Sequence, residues 1–181
     1  MALYIGTSFV TNNDGLTHKS FQSIGINTNF EFVGVASASD AANSDTLGRT
    51  NNSIAIGGTT ILVGAPAAGT NGKAYVFDFD GNELGQLIPT IGGYNNNPQT
   101  NIFFGQSVGI AGTLFYVGAG NYNGTYINEG RIFMFDRNTF EEVGTIIPSS
   151  PEAGSYFGRS VAVGCGKIVV DNAFRNTGAT G

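Results

Sequence analysis

Tryptophan is missing from this 181-residue chain, cysteine and histidine occur once each, and methionine occurs twice. A lone cysteine, Cys165, rules out an internal disulfide, so the core must hold the fold. It stands where two similar stretches carry Gly58 and Gly112, which suits a small-residue position better than a nucleophile. Lys and Arg number only 8 and the net charge is −5, which excludes the concentrated basic surface that nucleic acid requires. No apolar run approaches the roughly 18 residues of a membrane span, so no membrane insertion is expected. The opening MALYIGTSFVTNND has neither the basic region nor the apolar centre of a secretory signal. The expectation is synthesis in a cytoplasm, with any extracellular role reached in an assembled particle or by lysis. His18, in GLTHKS, has no Cys, His or acidic partner at metal-ligand spacing and reads as a polar loop residue.

Sustained 3.6-residue periodicity is also missing, which argues against long helices. What the chain has is glycine (28 residues), 41% hydrophobic and 12% aromatic residues, too apolar a composition for disorder. Glycine-rich turns between short β-branched and aromatic runs make it an all-β protein.

Three stretches repeat. SIAIGGTTILV (53–63), SVGIAGTLFYV (107–117) and SVAVGCGKIVV (160–170) align on Ser53, Ser107 and Ser160 without a gap. GKAYVFD (72–78) then matches GRIFMFD (130–136), and NELGQLIPT (82–90) matches FEEVGTIIPS (140–149). Each unit reads as four short strands. In the first strand branched residues alternate with very small ones, as in Val161 and Val163 against Ser160, Ala162 and Gly164. The small face lets a neighbouring sheet approach closely. The second and third strands are apolar on both faces and are expected to be covered on both sides. Four-stranded units of about 40–50 residues packed face against face describe blades of a β-propeller.

The series FFGQSV with FYVGAG, and YFGRSVAVG with IVV, resembles the FG-GAP repeats of integrin-α-like β-propellers over residues 47–181. The first copy departs from that pattern, with LGRTNNS in place of FGxS and three residues inserted before its strand. The third carries Val170-Asp171-Asn172-Ala173 where Gly-Ala is expected. The Asn/Gly/Thr-rich composition and the style of repeat are also similar to segments of large bacteriophage structural proteins. The units are 47–90, 103–149 and a partial 157–181, the last reaching NTGATG where its third strand would begin. A closed propeller takes about four to eight blades. The expectation is therefore a longer protein, with assembly of several copies or packing on a partner as the alternatives. Residues 1–46 show no repeat. LYIGTSFV (3–10), FQSIGI (21–26) and FEFVGVAS (30–37) look like strands, and SASDAANSDT (37–46) like a polar linker. This region is either a degenerate blade or a separate attachment module.

Chemistry is sparse. Gly105-Gln106-Ser107-Val108-Gly109 matches the nucleophile elbow G-x-S-x-G. That motif needs a strand-to-helix turn, whereas this serine opens a strand and recurs at 53 and 160 without the glycines. Asp78 and Asp80 alternate like part of a calcium loop, but Asp-Gly is equally a hairpin turn, and Arg137 stands in the matching stretch of the second unit. Calcium-binding FG-GAP repeats place carboxylates in the loop after Gly-Ala-Pro; here that loop is APAAGTNG, with none. Glu83 and Glu141-Glu142 open strands at blade edges, where charge discourages edge pairing. Tyr122 and Tyr126, in the long loop NYNGTYINEG, are the candidate ligand contacts, because surface loops carry binding residues and aromatic rings stack on sugars. No acid–base pair or convergent metal set can be assembled, so neither an enzyme nor a cofactor is expected. The functional expectation is a structural or adhesion component of a phage virion, such as a tail fibre, knob or capsid appendage. It would contact other virion proteins, copies of itself and a host-surface glycan or receptor. The alternative is a bacterial surface or secreted propeller that binds carbohydrate or protein.

Overall fold

Where residues are described, alternating and doubly apolar runs become strands; residues 5–10 and 30–33 of the expected early strands lie outside them. The computed structural model describes residues 3–4, 20–23, 25–26, 34–40, 42, 45–50, 52–91 and 99–172, with side chains from residue 37 onward. Among them no helix occurs. Four short strands come first: β1 (Leu3–Tyr4), β2 (Ser20–Ser23), β3 (Gly25–Ile26) and β4 (Gly34–Ser37), with β1 paired to β3 and β2 to β4. His18 lies outside the described residues.

The first blade is an antiparallel meander of β5 (Ile54–Gly57), β6 (Thr60–Ala65), β7 (Lys73–Phe77) and β8 (Glu83–Leu87). The second repeats it with β9 (Ser107–Ala111), β10 (Leu114–Ala119), β11 (Arg131–Asp136) and β12 (Glu142–Ile146). A third unit contributes the hairpin of β13 (Val161–Gly164) and β14 (Lys167–Val170). Both full blades carry a register shift at the same place, between Val76 and Phe77 and between Met134 and Phe135. The fold is all-β and propeller-like, with β5 against β9 and β9 against β13 as the innermost strands.

The two sizes of side chain along the first strand explain that packing. A Cβ on Gly57 would lie 2.5 Å from Ile110, and one on Gly109 would lie 3.0 Å from the Val163 methyl groups. The small face of each inner strand thus receives the branched face of the next. The middle strands of the first blade are buried on both sides and those of the second largely so, whereas β14 of the third unit is exposed or half-buried along its length. Ile61, Val63, Tyr75 and Phe77 pack with Ala38 and Leu47, while Leu62, Ala74 and Val76 pack with Phe104, Phe115, Val117, Phe133 and Phe135 of the second blade. Burying each such large side chain contributes about 1.5–3 kcal/mol.

The stretch expected to be a polar linker is docked onto the first blade where it is described. Ala38 and Asp45 are buried, and Asp40 accepts from Lys73 and, at 2.9 Å, from the Tyr75 hydroxyl. Those donors, Lys73 first, hold the Asp40 carboxyl below its ordinary value, whereas burial and the nearby carboxylate push the Tyr75 phenol up. A depressed folded-state value stabilises the fold above the ordinary carboxylate value, and that stability is lost as pH falls through the folded one. Melting of the chain is therefore expected to lose stability below about pH 4, and Asp40→Asn to flatten that loss. The Asp40 side chain is 43% exposed, so screening keeps the effect within about 1 kcal/mol.

The edge glutamates do more than discourage pairing. Glu83 accepts from the Ser39 N–H at 2.6 Å, and the equivalent Glu142 accepts from the Thr90 N–H at 2.6 Å. Each fourth strand thereby holds the segment that leads into its own blade. Arg137 joins two hairpin tips, donating to the Gly57 carbonyl at 2.8 Å and the Gly112 carbonyl at 2.9 Å, with its guanidinium 5.7 Å from the Phe115 ring. Arg137→Ala is expected to cost about 1–2 kcal/mol in urea unfolding. Arg137→Lys should recover little of it, since one ammonium cannot replace a fork that spans two carbonyls.

Candidate functional site

The turn that precedes each inner strand recurs with the same hydrogen bonds in all three units. The Gly105 N–H donates to the Gly118 carbonyl at 3.0 Å, the Gly158 N–H to the Asp171 carbonyl at 3.3 Å, and the Gly48 N–H to the Gly64 carbonyl at 2.9 Å. Leu47-Gly48 is therefore the first unit's Phe-Gly, and the three extra residues fall after Arg49. They reach across the inner strands. Thr50 Oγ1 donates to the Gln106 carbonyl at 2.7 Å, the Asn52 carbonyl accepts from the Val108 N–H at 2.7 Å, and Asn52 Nδ2 donates to Ser160 Oγ. The residue before each pair, Thr46, Phe103 or Tyr156, has a left-handed backbone with φ of 56, 54 and 50°. That conformation is costly for branched and bulky side chains and clusters at functional positions.

Consecutive units dock turn upon strand. A Cβ on Gly64 would lie 1.8 Å from the Gly105 carbonyl oxygen, and one on Gly118 would lie 2.0 Å from that of Gly158. Only glycine lets the next turn sit there. In the third unit that position is Asp171, whose Oδ1 accepts from the Ser160 N–H at 2.7 Å.

This stacking gathers the residues flanking the three turns around one open cavity of about 770 Å³. Thr46, Phe103 and Tyr156 line it from before the pairs, and Arg49, Gln106 and Arg159 from after them. Thr50, Pro66 and Ala67, the last two following the first Gly-Ala, and Asn121 complete the wall. Among the described residues no carboxylate lines it. Thr46 Oγ1 and Gln106 Oε1 are buried without a hydrogen-bond partner. Sequence reasoning passed over these positions. The signal was present in the alignment as the variable residues on either side of a fixed pair: Thr-Leu-Gly-Arg, Phe-Phe-Gly-Gln and Tyr-Phe-Gly-Arg.

The expected ligand tyrosines part company. Tyr126 is 46% exposed, in keeping with a contact residue, but Tyr122 is 3% exposed and belongs to the core. Its ring meets Phe133 edge-on at 5.7 Å and carries the Arg131 guanidinium at 4.1 Å, so neither face is open to a ligand. The long loop is organised by a residue the sequence did not single out. Glu129 is buried, faces Arg131 and accepts from the Tyr126 N–H at 3.0 Å.

Asp78 caps its turn. Its Oδ1 accepts from the Asp80 and Asn82 N–H groups at 3.0 and 2.8 Å, and its Oδ2 accepts from Asn82 Nδ2 at 2.9 Å. The Asn82 amide group is the main reason its carboxyl sits below the ordinary value. Asp136 caps the matching turn through Asn138 and Thr139, and Asp80 is exposed. Among the described residues no group of three or more His, Cys, Asp or Glu is placed to hold a metal. Ser107 is fully buried, and its Oγ donates to the Gly158 carbonyl at 2.8 Å, tying the second blade to the third unit's turn. Cys165 is free and exposed at a left-handed turn position with φ of 51°, matching Gly58 and Gly112.

Residues 31–77 match the FG-GAP repeat family, on the copy whose motif departs most from the pattern. No curated protein sequence matches the chain. The crystal structure of Saccharomyces cerevisiae Sqt1 is similar over 86% of this chain and 37% of that one, with 11% identity and a TM-score of 0.48.

Proposed function

Since the chain carries an FG-GAP repeat in a propeller-like fold, we propose that it is a non-catalytic binding module, an adhesion component of a phage virion appendage, that takes its ligand where the three turns meet. The observation that carries the binding role is the convergence of equivalent positions from three units on one cavity. A scaffold that only stacked blades would have no need of arginines and strained aromatics at that place. The virion setting is supported by composition: low charge, abundant Gly, and a single cysteine outside any disulfide.

Immunogold labelling of purified particles tests the setting, with labelled appendages as the expected result. Particles free of the chain would sink the virion assignment. They would favour a bacterial surface module using the same cavity.

A further inference from the structure

The cavity has a definite chemistry. Four arginines lie among the described residues. Arg131 faces Glu129, and Arg137 is spent on two carbonyls. Arg49 and Arg159 are both exposed, both line this cavity, and among the described residues their guanidinium groups meet neither a carboxylate nor a carbonyl. Two guanidinium groups in a cavity that no described carboxylate lines suit an anion. The adjoining recess shares Thr50, Gln106 and Arg159 and contains Asp171, which accepts from the Ser160 N–H and forms no ion pair with Arg159.

Other features describe the remainder of the ligand. Gln106 lines the cavity with its Oε1 turned inward against Gly120, so that acceptor is not presented to a ligand. Thr46 Oγ1 is likewise buried, and as a hydroxyl it can donate or accept. Phe103, 38% exposed, and the half-buried Tyr156 add aromatic surface suited to an apolar C–H face. A ligand with an anionic group beside an apolar ring face matches an acidic sugar. The volume of about 770 Å³ and the open mouth suit one or two rings of a longer chain.

Building on the adhesive reading above, we infer that this cavity binds a carboxylate-bearing sugar residue of a surface polysaccharide. Arg49 and Arg159 hold the carboxylate, and Phe103 and Tyr156 face the ring.

Isothermal titration of the whole chain with three probes tests this: a glucuronic-acid-containing oligosaccharide, a neutral glucose oligosaccharide of the same length, and sodium sulfate. The acidic oligosaccharide is expected to bind at least tenfold more tightly than either of the others, and more weakly as salt rises. Arg49→Ala and Arg159→Ala are each expected to weaken it at least tenfold with unchanged melting temperature, because both side chains are exposed. Equal binding of the neutral oligosaccharide, or full affinity in both arginine variants, overturns the inference. Sulfate binding as tightly as the acidic oligosaccharide reduces the cavity to a simple anion site and overturns the sugar. Fluorescent chain applied to host cells separates this from the adhesive reading. Cell binding that only neutral oligosaccharide competes away leaves adhesion standing and removes the acidic sugar. Intact acidic-oligosaccharide binding without any cell binding removes adhesion and keeps the site.

Discussion

Gly118→Ala is expected to lower stability by about 3 kcal/mol or more, a drop of roughly 6–12 °C in melting temperature for a chain of this size. The added methyl would lie 2.0 Å from the Gly158 carbonyl oxygen and 2.2 Å from Ser107 Oγ. No rotamer change relieves the first of these contacts, because the neighbour is backbone. That backbone is itself held, since the Phe157 N–H donates to the Glu129 carbonyl at 3.0 Å and Ser107 Oγ donates to the Gly158 carbonyl at 2.8 Å. The third unit would have to lift from the second. Two other glycines supply the scale. Gly112 has a φ of 57° with nothing within 4 Å of a would-be Cβ, so Gly112→Ala should cost only the left-handed backbone penalty of about 1–2 kcal/mol. Gly164 has open space and no such φ, and Gly164→Ala should fall within about 0.5 kcal/mol of the parent. Urea unfolding of the three variants checks the order. A Gly118→Ala chain as stable as Gly164→Ala would refute turn-upon-strand docking.

Phe104→Ala should be the most damaging truncation of an apolar side chain, costing about 3–5 kcal/mol. The ring is fully buried and meets Phe133 and Phe135 edge-to-face at 5.5 and 5.8 Å. It lies in the cluster where Leu62, Ala74 and Val76 of the first blade meet the second. Its loss opens a cavity at the junction of two blades, where the docked backbones leave little room to collapse. Thermal melts should show the loss, with both blades unfolding in one shifted transition. Its neighbour Phe103 points the other way, 38% exposed, and Phe103→Ala should cost little stability while weakening sugar binding. If the two variants melted alike, the division between a structural and a ligand-facing phenylalanine would be wrong.

That adjacent pair shows what sequence alone can do here. The repeat, the four strands of each unit, the apolar middle strands and the all-β class were legible, because each follows from local alternation along a few residues. The Phe-Gly motif was legible as a recurrence, and so was the equivalence of Cys165 with Gly58 and Gly112. Recurrence did not reveal that Gly64 and Gly118 are required by the backbone of the following unit, or that Leu47-Gly48 keeps the same turn with its insertion placed after Arg49. Nor could loop length show that Tyr122 turns inward: a ten-residue loop looks exposed until Glu129 and Arg131 fold it onto Phe133. The same limit hid the cavity where the three turns meet. Arg49 and Arg159 are 110 positions apart in the chain, and each sits beside an ordinary turn. Side-chain pattern determines which face of a strand is apolar. The rotation of one blade against the next decides which distant side chains share a space, and that rotation is set by backbone-to-backbone contacts at glycine, which leave little trace in local pattern.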